Sequence, residues 1–108
     1  ILLRKKVVIL GLEWSIKSKE DYEEILKIIE KSIIDSGIKD VRSYFNGFCV
    51  PSGIEKWPDL MDFNIYHTNE ETYIYCLLNS SLAEAELTMK KIKWELDALN
   101  YQCEIDEL

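Results

Sequence analysis

Apolar and polar positions along the chain fall into two stretches of helical period and several strand-like runs. Tyr22, Ile25, Leu26, Ile29 and Ile33 share one face of a helix. Ser18 is the expected opening residue, with Asp21 three positions on as a weak capping box, and Gly37 is the expected stop. A second helical face is built from Leu82, Ala85, Met89, Ile92, Leu96 and Leu99, which alternate spacings of three and four. Ser81 and Glu84 form the capping pair at its start. The pattern predicts helices over 19–36 and 81–100.

Between these periods lie the strand candidates. Val7 to Leu12 is a short apolar run rich in β-branched residues, which predicts a strand buried on both faces and central in its sheet. Ile38 to Asn46 alternates, with Val41, Ser43 and Phe45 on one side. Phe63 to Thr68 and Thr72 to Leu78 predict a hairpin turning at Asn69-Glu70-Glu71, and Tyr101 to Ile105 a last strand. Residues 47–62 hold Pro51, Gly53 and Pro58 and are expected to be a long connection, with room for a bulge or an extra short strand. The order β-α-β-β-α-β predicts an α+β fold, a ferredoxin-like βαββαβ sandwich: an antiparallel sheet with two helices on one face. Ile9, Ile25, Ile29, Met89, Ile92 and Leu96 are the expected core.

The chain has 108 residues, 47% of them hydrophobic and 31% charged, which suits a single globular domain over 1–108. Its richest apolar run is too short to span a bilayer. Arg4, Lys5 and Lys6 before that run are followed by no small-residue cleavage site, so a soluble, cytoplasmic chain is expected. It starts at Ile1 and not at a methionine, which leaves room for a residue or tag ahead of it. The three cysteines, Cys49, Cys76 and Cys103, are odd in number and widely spaced, as buried thiols in a reducing compartment would be.

Net charge is −7 and unevenly spread: residues 43–108 carry four basic side chains against twelve acidic ones. Such a field repels nucleic acid and anionic membranes and speeds encounter with cationic proteins. Tyr73 and Tyr75 are aromatics of the kind that stack on RNA, but residues 43–89 contain only one basic residue, Lys56.

Candidate chemistry is sparse. His67 is the one histidine; it is expected to cover a turn, and a catalytic role would need a partner the spacing does not supply. The acid pairs Glu20-Asp21, Glu23-Glu24, Glu70-Glu71, Glu84 with Glu86, and Asp106-Glu107 fall on faces or turns expected to be solvated. None of the four glycines sits in a phosphate-binding fingerprint. Ser15-Ile16-Lys17-Ser18, expected as a turn before the first helix, offers amides to an anion as most helix starts do. No enzyme activity, cofactor or metal is expected.

Three features stand out against this background. Tyr73 to Leu78 is apolar or aromatic on both sides of its strand, although one sheet face in such a fold has no helices; either it is an interface or residues 47–62 fold back over it. Trp94, with Leu87 and Ala98, lies opposite the main apolar face of the second helix, where the C-terminal segment is one candidate cover. Trp57 sits between two prolines in a loop with Glu55 and Asp59. Aromatics next to acids make a protein-binding surface, with Glu55, Trp57, Asp59, Glu70, Glu71, Tyr73, Tyr75 and Trp94 as its candidate residues.

In size, charge and composition the chain resembles the small acidic immunity proteins with which bacteria neutralise cationic nuclease toxins. The resemblance implies an inhibitor whose acids steer a basic toxin domain and whose aromatics hold it. A dimeric small-molecule-sensing or regulatory domain is the alternative, with a homodimer built through sheet faces or edges.

Overall fold

A computed structural model describes residues 11–56, 59–68 and 73–108. In chain order they form β1 (Leu12–Ser18), α1 (Tyr22–Asp35), β2 (Arg42–Tyr44), β3 (Gly47–Pro51), β4 (Met61–His67), β5 (Ile74–Leu78), α2 (Leu82–Ala98) and β6 (Cys103–Glu107). The fold is α+β, and the described residues form a six-stranded antiparallel sheet in the order β2-β3-β4-β5-β1-β6 with two helices. A plain four-strand sandwich is therefore not the architecture. The surplus is the β2–β3 hairpin, which turns at Phe45-Asn46 and joins the edge of β4.

Both helices end where their caps dictate. The Asp21 side chain accepts a hydrogen bond from the Glu23 amide, and the Ser81 hydroxyl one from the Glu84 amide. Gly37 follows α1 with φ 97°, a left-handed position that suits a residue without a β-carbon. Asn100 takes the same role after α2 with φ 64°, and the Tyr101 amide bonds back to the Leu96 carbonyl.

The expected opening of α1 at Ser18 is corrected by this geometry. Ser18 closes β1 instead; its hydroxyl donates to the Gln102 carbonyl and accepts from the Glu20 amide. Ser15 to Ser18 are strand and not a turn. Leu12, Trp14 and Ile16 alternate with Glu13, Ser15 and Lys17, so a half-buried strand is what this segment's own period favours. Most of the expected Val7–Leu12 strand, Ile9 included, lies outside the described residues. Ile38–Asn46 shrinks to the three residues of β2, with Phe45 fully exposed at the turn. Gly47–Pro51 is a full strand within what was expected to be a connection, and it widens the sheet rather than folding over it.

The buried side chains form one cluster between the helices and one sheet face. Trp14 and Ile16 of β1, Phe48 and Val50 of β3, Phe63 and Ile65 of β4, and Ile74, Cys76 and Leu78 of β5 meet Ile25, Ile29 and Ile33 of α1 and Ala85, Met89, Ile92 and Leu96 of α2. Burial holds the Cys76 thiol well above its ordinary pKa, as expected of an inert core cysteine. Among the described residues no helix is long and apolar enough to cross a membrane.

Candidate protein-binding surface

Strand alternation sends every second side chain to the sheet face opposite the two described helices. On that face the pairing register aligns one residue from each strand in a row: Tyr44, Gly47, Tyr66, Tyr75, Ser15 and Asp106. Three tyrosines are thus interleaved with two of the smallest residues. The Tyr66 and Tyr75 rings lie 5.4 Å apart, tilted by 50°. Tyr44 reaches across β3 and donates its hydroxyl to Asn64 at 2.5 Å. Tyr75 donates to the carboxylate of Glu13, its diagonal neighbour on β1.

These contacts fix the rings and shift their acidity. Burial first, then Cys49 and Tyr66, pushes the Tyr44 phenol up to about 12. Tyr75 is raised as well, by burial and then by its hydrogen bond to Glu13, a carboxylate that would repel a phenolate. Tyr66, Tyr75, Leu77 and Cys49 are only half-buried, and Tyr44 is exposed. A surface of rigid, protonated phenols with an apolar body and a polar tip is suited to a protein partner. Charged residues stand around it: Glu13, Glu104 and Asp106 of one sign, Lys17 and Arg42 of the other. The Lys17 ammonium lies 5.8 Å from the Tyr73 ring centroid.

The eight residues singled out in the sequence do not come together on this face. Tyr73 and Tyr75 are on it. Trp94 lies on the outer side of α2, in the helix layer, 68% exposed along with Leu87 at 69%; the C-terminal segment does not cover it. Glu55 and Asp59 are exposed on the loop after β3, where the Ser52 amide donates to the Leu60 carbonyl. Trp57, Glu70 and Glu71 lie outside the described residues. Glu13, Tyr44 and Tyr66 were missed, although the alternation of Asn64 and Tyr66 with Phe63 and Ile65 already marks the face they occupy.

No family model, no curated protein and no solved structure matches this chain.

His67 is stacked on Tyr22 at the start of α1, ring centroids 4.4 Å apart, and its amide donates to the Asn46 carbonyl. Both contacts pack a strand end. Among the described residues no three of histidine, cysteine, aspartate and glutamate are grouped to hold a metal ion. Asp62 and Glu84 share a cleft beside α2, and burial followed by the Glu84 charge raises the Asp62 pKa.

Proposed function

We propose that this chain is a protein-binding module, an inhibitor of the immunity-protein kind that neutralises a cationic bacterial toxin domain such as a nuclease. The observation that carries this is the row of tyrosines on the sheet face opposite the two described helices, held by hydrogen bonds to Asn64 and Glu13 and flanked by Glu104 and Asp106. Large, pre-ordered aromatics lose little entropy on binding, while acids around them raise the rate of encounter with a basic surface. We take β6-β1-β5-β4 with the two helices as a ferredoxin-like core, to which β2 and β3 are added; the addition brings Tyr44 beside Tyr66. In this proposal the protein works in the cytoplasm and without turnover.

The test uses the immobilised chain to capture its partner from the cells that make it, and then purified partner for kinetics. A basic protein is expected, with association that slows as salt rises. Neutralising Glu55, Asp59, Glu104 and Asp106 together should slow association and leave dissociation nearly unchanged. Tyr66→Ala or Tyr75→Ala should shorten the complex's lifetime, costing at least about 2 kcal/mol at a true anchor. A neutral or acidic partner, or association indifferent to salt, overturns the reading; tyrosine variants that dissociate like the parent move the interface elsewhere.

A further inference from the structure

The sheet has two edges, and they differ. β2 is three residues long, whereas β6 has five and pairs, among the described residues, with β1 alone. An edge of that length presents a line of backbone donors and acceptors to any extended chain that reaches it.

Side chains along β6 restrict what that chain is. Glu104 and Asp106 point to the face opposite the described helices, both exposed, while Cys103, Ile105 and Glu107 point to the helix side. A second copy pairing antiparallel in the register centred on Ile105 would set Glu104 against Asp106, and like charges directly opposite are destabilising. Lys17 faces Glu104 from β1, but its ammonium lies over the Tyr73 ring, and among the described residues no ion pair joins it to Glu104. On the helix side a cleft of about 180 Å³ between α2 and β6 is lined by Trp14, Met89 and Ile105, with Lys90 and Lys93 balancing Glu86 and Glu107. One side of an added strand would thus meet carboxylates and the other a charge-balanced apolar notch.

We infer that β6 is a docking strand for an extended segment of a partner protein, in which basic residues facing Glu104 and Asp106 alternate with apolar residues facing Ile105 and Met89. Main-chain hydrogen bonds to the edge supply affinity, and the alternation supplies specificity. The inference rests on the proposal that the partner is a cationic protein, and specifies how part of it is held.

The probe is a synthetic peptide of about seven residues, a usual strand length, alternating lysine and valine. Two controls accompany it: the same composition in scrambled order, and the same sequence with its edge-facing amides N-methylated. At about 1 mM, the weak end of specific binding, the alternating peptide should protect the amides of Cys103–Glu107 from hydrogen exchange and leave those of Arg42–Tyr44 unchanged. Both controls should bind at least about tenfold more weakly, one because it lacks main-chain donors and the other because it lacks the alternation. A double variant, Glu104→Gln with Asp106→Asn, should lose binding to the same extent at an unchanged melting temperature.

Equal binding of the N-methylated or scrambled peptide overturns the inference, as does absence of protection at β6. So does a parent chain already dimeric through β6 before peptide is added. In each case a salt-dependent complex with a captured basic protein leaves the broader proposal standing. Loss of that complex alone, with peptide binding intact, overturns the broader proposal instead.

Discussion

A β-carbon at Gly47 would lie 2.2 Å from the Ile65 carbonyl oxygen and 2.7 Å from the Tyr66 Cα. Both neighbours are backbone of the paired strand and have little room to move. Gly47→Ala should therefore destabilise the protein by about 1–3 kcal/mol, as overpacking does, and should displace Tyr66 from its row. Denaturant midpoints together with near-ultraviolet circular dichroism would measure both. Ser15, three strands away, poses the opposite problem: it is 1% exposed, and its hydroxyl has no hydrogen-bond partner among the described residues. A buried orphan hydroxyl is a cost, so Ser15→Ala should leave the melting temperature unchanged or raise it, by up to about 1 kcal/mol of stability. A loss of more than that would mean the hydroxyl is satisfied in solution.

At the scale of elements, the helix ends give the sharpest contrast. The sequence offers Ser18, Asp21 and Ser81 as capping side chains, and only the last two cap a helix. Asp21→Ala and Ser81→Ala should each cost about 1 kcal/mol. Ser18→Ala, which removes a link between the ends of β1 and β6, should leave exchange of the α1 first-turn amides as it is in the parent. Exchange of those amides in the three variants separates the two roles.

For the molecule as a whole, the tyrosine row predicts behaviour in alkali. Tyr44 has an ordinary value of 10.0 and is pushed up to about 12 in the fold, so between those values the folded chain binds more protons than the unfolded one. Stability linked to this group is complete below pH 10.0 and is lost as pH rises through about 12. Tyr75 acts in the same direction. Urea midpoints measured across this range should fall with pH in the parent. They should fall less steeply in Tyr44→Phe, which has no proton to lose there; an equal slope would mean that Tyr44 titrates alike in both states.

Much of this architecture is local and so is present in the chain itself. Helical period and capping residues act within a few positions, which is why both helices, the buried Ile25, Ile29, Met89, Ile92 and Leu96, and the pairing of β4 with β5 are legible in the sequence. The first strand is where the sequence reading fails: Leu12 to Lys17 carries the strand period, but the denser apolar run before it outweighs that signal and Ser15 to Ser18 reads as a turn. What the sequence leaves open is partner choice between distant strands. Gly47–Pro51 carries the same residues whether it crosses a sheet face or extends a sheet edge, and only its long-range pairing with β4 decides. That decision adds Tyr44 to the row of Tyr66 and Tyr75 on the face opposite the two described helices, because register, not sequence spacing, determines which side chains meet across a sheet.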